Sequence, residues 1–253
     1  MIGSPESLWV LGARVDRVGR YEAMSLVSDM METPGLSQVV TLNPEYVMMA
    51  RRHPDLLRII NCAGLSVADG AGIVWATRLE EKPLRDRVTG TDLLPEICRL
   101  AAHRGHGVFF LGGKPGVAGQ AAARLKSRFP DLVVAGSSSN DPCAELDSRT
   151  LEEIRRSGAR VLAVAYGCPK QDFWIDQHRE ELPGVRLAIG VGGAFDFISG
   201  ETPRAPGWMR HAGLEWLFRL WMEPRRLRRM LALPGFAALV AAQAARRPKN
   251  RPG

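Results

Sequence analysis

The sequence predicts an α/β fold, a mostly parallel sheet with helices on both faces, followed by a basic helical segment at the C-terminal end. Three observations predict it. Short apolar runs alternate with helix-length amphipathic stretches along the first 200 residues. Runs such as VFFL and VLAVA are apolar at every position, as strands buried on both faces must be. The charge is also unevenly spread. Residues 1–200 carry 23 Lys and Arg against 24 Asp and Glu, whereas residues 201–253 carry 11 against 3. The whole excess behind the net charge of +7 therefore lies in the last fifth of the chain. A neutral body with a basic end suggests a docking segment more than a nucleic-acid-binding globule.

In chain order, the expected strands are Leu8–Leu11, Gln38–Leu42, Leu65–Ala68, Val108–Leu111, Leu132–Ala135, Val161–Ala165 and Arg186–Val191. The expected helices are Pro44–Arg52, Ala71–Leu79, Asp92–Arg104, Val117–Phe129, Leu151–Ser157 and Gln171–Glu181. SSSNDPC, residues 137–143, reads as a surface loop. Past residue 200 the prolines at 203, 206, 224 and 234 cut the chain into short helical pieces, and the domain boundary is set there: 1–200 catalytic, 201–253 appendage. Nothing approaches the roughly 20 apolar residues of a membrane-spanning helix. The longest candidate is 236–245, just after Pro234 and Gly235. The four cysteines form no CxxC pair and the five histidines show no ligand spacing, so no metal site is expected.

In such folds ligands bind beyond the carboxyl ends of the strands, and five polar turns fall there. Thr41-Leu-Asn43-Pro44-Glu45 would place two polar side chains at a strand end; equally, Asn43 could cap the next helix with Pro44 in its first turn. Asp69-Gly70-Ala71-Gly72 offers a carboxylate with room for a substrate hydroxyl, or else a helix cap. Gly112-Gly113-Lys114-Pro115-Gly116 could cradle a phosphate with backbone N–H groups and a lysine, or be an ordinary connection; it is neither a Walker nor a GxGxxG sequence. Cys168-Pro169-Lys170-Gln171-Asp172 would aim polar donors at the crevice, with Cys168 a small buried thiol. Gly190 to Asp196 brings glycines and a carboxylate suited to a ring N–H or hydroxyl, or to a structural cap. The tail carries three of the six tryptophans together with clustered arginines, a composition suited to an anionic lipid surface. Each arginine there contributes about 1 kcal/mol. The plainer reading packs the Trp/Leu face of the tail on the core, since Trp216 and Leu220 have helical spacing.

Eight strings, TLNPE, ADGAGIVWA, RVTGTDL, FFLGGKPGVA, GCPKQDFWI, GVGGAFDFISG, RAPGWM and GLEWLFRLWMEPRR, occur in this order between Val39 and Met230. Together they resemble the WecG/TagA/CpsF family of bacterial glycosyltransferases. The resemblance implies a Rossmann-like domain with a C-terminal appendage that docks on the cytoplasmic face of the plasma membrane and helps complete the active site. It also implies inverting, metal-independent transfer of a sugar from a UDP donor to a polyprenyl-diphosphate-linked sugar in cell-surface polysaccharide synthesis. The donor sugar would be N-acetylmannosamine, its uronic acid or glucose, and no cofactor is implied. By position Asp69 matches the proposed base, and Thr41 and Asn43 match active-site polar residues. Arg87 and Gln171 match residues near the donor diphosphate and sugar; apart from the resemblance, Gly112, Gly113, Lys114 and Asp196 are expected to bind the donor, with the amides of the Gly112–Gly116 turn helping to offset the diphosphate charge. Arg225, Arg226, Arg228 or Arg229 match the arginines that close over the diphosphate. The sequence departs from the family in reading PKQD for PKQE and in carrying Tyr166 and Cys168 at positions more often small or aliphatic. Rival readings are another nucleotide-binding enzyme of this fold or a nucleic-acid-binding protein using the tail; the missing nucleotide motifs and the interleaved tryptophans count against them. No nucleic-acid partner is expected, and an exposed tail leaves a homo-oligomer open.

Overall fold

Six strands form one all-parallel sheet, and its order decides which turns can share a ligand. The computed structural model describes residues 5–78, 83–84, 86–222 and 227–246. The chain runs β1 (Ser7–Val10), β2 (Ala13–Asp16), α1 (Arg20–Glu32), β3 (Ser37–Leu42), α2 (Pro44–Ala50), α3 (Pro54–Cys62), β4 (Leu65–Ala68) and α4 (Ala71–Thr77). It continues with α5 (Gly90–Arg104), β5 (Gly107–Gly112), α6 (Val117–Arg128), β6 (Val133–Ser138), α7 (Ala144–Ser157), β7 (Val161–Ala165), α8 (Lys170–Gln177) and β8 (Leu187–Gly190). The remaining elements are α9 (Ala194–Ser199), α10 (Gly207–His211), α11 (Glu215–Met222), α12 (Leu227–Met230) and α13 (Ala232–Ala245). The sheet order is β4-β3-β8-β7-β5-β6.

Both faces of the sheet are covered, which is why the central strands are apolar throughout. Val39, Val108, Phe110, Val161 and Ala163 point into one core with α1, α5, α6 and α9. Their strand neighbours face the other side. There Val40 and Leu42 meet α2, α3, α4 and α13, while Phe109, Leu111, Leu162 and Val164 meet α7 and α8. Only β6, at one edge, is substantially exposed.

The opposite edge is closed by the N-terminal hairpin. Leu8–Leu11 is expected as one more strand of the main sheet; instead β1 pairs antiparallel with β2 as a separate two-stranded ribbon. Its turn is Leu11-Gly12, both with positive φ (51° and 89°), and β2 lies over β4. Asp16, buried, accepts hydrogen bonds from Ser66 N–H and Ser7 Oγ at 2.8 Å and pairs with Arg14 at 3.1 Å. An edge that could pair with another chain is thus covered.

Other expectations shift at their ends. β6 runs into the expected loop as far as Ser138, α7 begins seven residues earlier than expected, and α8 stops at Gln177 before a short 3₁₀ turn, Arg179–Glu181. Residues 13–36 and 53–64, for which no element is expected, hold β2, α1 and α3. Past residue 200 the chain folds back on the body. Phe236 and Val240 of α13 are buried among Tyr46, Val47 and Leu56, and Gln243 bonds Leu11 N–H and the Trp9 carbonyl, both at 2.8 Å. Among the described residues no helix is long and apolar enough to cross a membrane.

Beneath the crevice lies one buried carboxyl group. Asp172, from PKQD, is fully covered, with Gln38 Nε2 donating to its Oδ1 at 3.2 Å and Tyr46 beside it. Burial pushes its pKa up to about 6, against the opposing pull of the nearby polar groups of Tyr46, Gln38 and Gln171. A raised pKa means that the neutral form stabilises the fold. This contribution is complete below the unfolded value of about 3.9 and is lost as pH rises through about 6. Asp172→Asn mimics the neutral carboxyl, so its melting temperature should match the wild type near pH 4 and equal or exceed it at pH 7.5. Thermal melts at the two pH values check this, and a variant selectively weakened at pH 7.5 would contradict it.

Candidate active site

The turns after β3 and β4 are built against each other. Asp69 N–H donates to the Leu42 carbonyl at 2.8 Å and Gly70 N–H to the same oxygen at 3.2 Å, continuing the β3–β4 ladder past the strand ends. A Cβ on Gly72 would come 2.5 Å from Pro44 Cγ, and one on Gly70 would come 2.8 Å from Pro44 Cδ. Only glycines allow α4 to start this close to α2. The glycines of ADGAG therefore serve helix packing beside Asp69. The helix-cap alternative for Asp69 does not hold, because Gly70 occupies the cap position of α4. For Asn43 it does hold: its Oδ1 accepts Tyr46 N–H at 2.9 Å, with Pro44 opening α2. Thr41 Oγ1 stands 3.5 Å from the Gly190 carbonyl on β8.

The segment before α5 supplies the next partner. Val88 N–H donates to the Ala68 carbonyl at 2.9 Å, which lays residues 86–89 across the end of β4 and sets Arg87 beside Asp69. Thr89 caps α5 through Asp92 N–H, and Gly90 N–H at the start of that helix favours the ionised form of the Asp69 carboxylate. Asp69 is half-buried by surface area, yet desolvation is the largest influence on it. Burial raises its pKa above the ordinary carboxylate value; Arg219 and Arg87 pull it down, and Glu215 pushes it up.

Two of these groups belong to the C-terminal segment, and sequence reasoning did not single them out. Glu215 is only 6% exposed and meets Arg87 at 3.2 Å, Arg204 at 3.4 Å and Arg219 at 3.7 Å. Arg204 also reaches Asp92 on α5 at 2.7 Å, and the Arg219 guanidinium lies over the Phe197 ring, 4.5 Å from its centre. α11 thus turns a carboxylate inward and its tryptophans outward: Trp216 is 41% and Trp221 77% exposed. Of the expected Trp216–Leu220 packing face, Leu220 is half-buried while Trp216 is exposed. The readable signal was a lone acid in the apolar string LEWLFRLW. Arg225 and Arg226 lie outside the described residues; Arg228 and Arg229 sit on α12, their side chains outside the described ones.

The remaining expected residues form a second group. β5 is four strands from β4, about 19 Å at ordinary strand spacing. The Gly112–Gly116 turn therefore cannot touch the same phosphate as the groups beside Asp69. Gly112, Gly113 and Gly116 all have positive φ, and a Cβ on Gly112 would meet the Tyr166 ring at 2.8 Å. Gly113 N–H donates to the Ala165 carbonyl at 3.2 Å, while Lys114 is exposed. Gln171 is buried, accepting Gly192 N–H at 3.0 Å and filling the space where a Gly190 side chain would stand. It braces the end of β8 from beneath. Asp196 lies on α9, which packs along α6, and Phe195 next to it stacks against Phe110. Cys168 is partly buried against the apolar core of the α2 side.

A cavity of about 1030 Å³ opens on the far side of the arginine cluster, where Ala71, Arg87, Asp92, Arg204 and Gly213 meet the α1 start. Arg87 is the one expected site residue on its wall. Among the described residues no group of three or more His, Cys, Asp or Glu side chains could hold a metal ion.

Comparison with known proteins gives the chain its relatives. The model of the Glycosyl transferase WecG/TagA/CpsF family matches residues 8–250. An N-acetylglucosaminyldiphosphoundecaprenol N-acetyl-beta-D-mannosaminyltransferase of Bacillus spizizenii is 34% identical over 224 residues, covering 87% of this chain and 86% of the relative. The protein of the same description from Bacillus subtilis is 32% identical over 204 residues, covering 80% and 78% respectively.

Proposed function

Since the chain belongs to the WecG/TagA/CpsF family of glycosyltransferases, we propose that it transfers N-acetylmannosamine from a UDP donor to N-acetylglucosamine carried on undecaprenyl diphosphate, with Asp69 as general base. The observation that carries the reading is a carboxylate of raised pKa at a strand end, flanked by Arg87 and by Arg219 from the C-terminal segment. The choice of sugar and acceptor is supported by the relatives' descriptions. The uronic acid and glucose are alternative outcomes of a donor panel.

The transfer is one in-line displacement. An acceptor hydroxyl attacks the anomeric carbon as its proton passes to an Asp69 carboxylate oxygen. The new C–O bond forms as the bond to the UDP oxygen breaks with inversion, and UDP departs with the electron pair. Arg87, Arg204 and Arg219 offset the charge that develops on the diphosphate, the work a divalent cation would otherwise do. The group at the β5 turn and α9, with Gly112, Gly113, Lys114 and Asp196, suits the more distant nucleoside end of the donor. Gln171 holds the β8 turn between the two groups.

The lipid acceptor brings the reaction to a membrane surface. Trp208 is 66% exposed, and with Trp216, Trp221, Leu227 and Leu231 it gives the basic tail an apolar outer surface. That composition supports peripheral docking on anionic lipid at the inner face of the plasma membrane.

Asp69→Asn is expected to lower kcat by about 10²- to 10⁴-fold with UDP binding little changed. A variant with near-native turnover would remove Asp69 as the base. The wild-type kcat should fall on the acid side with an apparent pKa above the usual aspartate value, because Asp69 must be ionised to act and burial raises its pKa. UDP release measured over a panel of UDP-sugars and short-chain lipid-diphosphate sugars should be greatest with UDP-N-acetylmannosamine and equal with and without EDTA. Loss of release in EDTA would show that the arginines do not suffice.

A further inference from the structure

The cluster around Glu215 is more elaborate than offsetting a leaving group requires. A carboxylate buried on an eight-residue helix that is otherwise apolar apart from Arg219 is costly unless it is paired, and turning a tryptophan inward would bury more apolar area. The orientation of α11 is therefore set by charge. Its Glu215 collects three guanidinium groups from three places: the segment before α5, the segment before α10, and one turn further along its own helix. Two of these arginines are fixed a second time, Arg204 by Asp92 and Arg219 by the face of Phe197. Even so, Glu215 does not exhaust them. Among the described residues, Arg204 Nη2 and Arg219 Nε are buried without a hydrogen-bond partner, so Glu215 leaves part of each guanidinium unsatisfied.

We propose that Glu215 is a positioning residue whose carboxylate gathers Arg87, Arg204 and Arg219 into one cluster and so holds Arg87 and Arg219 beside Asp69. The proposal rests on the reading of Asp69 as the base. It implies that an enzyme with the C-terminal segment unseated has the base but lacks the organised cations. The groups facing Asp69 are Arg87 and Gly90 N–H from the body and Arg219 and Glu215 from α11. Around Glu215 stand Arg87, Arg204 and Arg219, with Asp92 behind Arg204. Removing the Glu215 charge leaves one guanidinium in excess next to Asp69. That excess favours the ionised carboxylate, so the base becomes weaker and titrates at lower pH.

The test uses the full chain as Glu215→Gln and Glu215→Asp, assayed for UDP release beside the wild type and Asp69→Asn. In Glu215→Gln, kcat should fall at least tenfold while the donor KM changes less than threefold, and the acid limb of the kcat profile should move to lower pH. Glu215→Asp, which keeps the charge on a shorter arm, should recover part of the lost kcat while staying at least threefold below wild type, with the acid limb near its wild-type position. A Glu215→Gln enzyme with kcat within twofold of wild type overturns the proposal. So does one that only melts earlier and keeps the wild-type acid limb, since Glu215 would then be a structural clamp. Should Glu215→Gln fail to fold by circular dichroism, Glu215→Asp decides alone: a threefold or greater loss of kcat supports positioning, and a smaller loss overturns it. If Asp69→Asn retains turnover, the base assignment falls and this proposal with it. If Asp69→Asn is inactive and Glu215→Gln behaves as wild type, only the positioning role is lost.

Discussion

A carboxylate that is to accept a proton must be shielded from water enough to be basic, yet not so isolated that it stays protonated. Asp69 sits between these limits because two parts of the chain act on it in opposite directions. The Rossmann-like body withdraws it from solvent at the end of β4 and raises its pKa, while Arg87, Arg219 and Gly90 N–H favour its ionised form. The balance depends on backbone placement: Asp69 N–H is tied to the Leu42 carbonyl, and Val88 N–H is tied to the Ala68 carbonyl. Both ties extend the sheet's own hydrogen bonding, so the position of the proposed base follows from strand pairing and not from a flexible loop.

The same sheet order separates the two ends of the site. With β3 and β4 at one side and β5 near the other, the polar turns cannot all surround one phosphate. They form an extended crevice instead, with β8 and its glycine turn in the middle. That shape suits a long ligand such as a nucleotide sugar better than a compact one. Gln171 in the first turn of α8 and Asn43 at the cap of α2 fix the backbone of the neighbouring turns through Gly192 N–H and Tyr46 N–H.

The sheet was legible in the sequence because parallel strands buried on both faces must be apolar at successive positions, and β5, β7 and β8 are. The hairpin was not, because its turn is Leu11-Gly12, where the usual signal is Asn-Gly; a leucine with φ of 51° is tolerated there with its N–H held by Gln243 from the far end of the chain. No local pattern announces a contact spanning more than two hundred residues. Asp69 and Arg87 were legible through the family resemblance of ADGAGIVWA and RVTGTDL, and the fold sets them beside each other; Thr41 stands on the neighbouring strand β3. Glu215, Arg204 and Arg219 were not singled out, since a single acid in a tryptophan-rich helix reads as its solvent face. Only the placement of three arginines around it makes the inward orientation favourable. Sequence spacing also could not show that Gly112 and Asp69 lie on different sides of the crevice, which is a matter of strand order.

The bond from Gln243 to the hairpin bears on how the two ends of the chain can be handled. Phe236 and Val240 plug a socket formed by Tyr46, Val47 and Leu56, and Gln243 closes the hairpin turn over it. The tail is therefore a keystone of the fold as well as the proposed anchor. Shortening the protein at its basic segment uncaps an apolar hollow in the folded body while also removing the surface proposed to meet lipid. A clipped enzyme that loses activity or solubility would report on both at once, and substitutions confined to the outward tryptophans separate them.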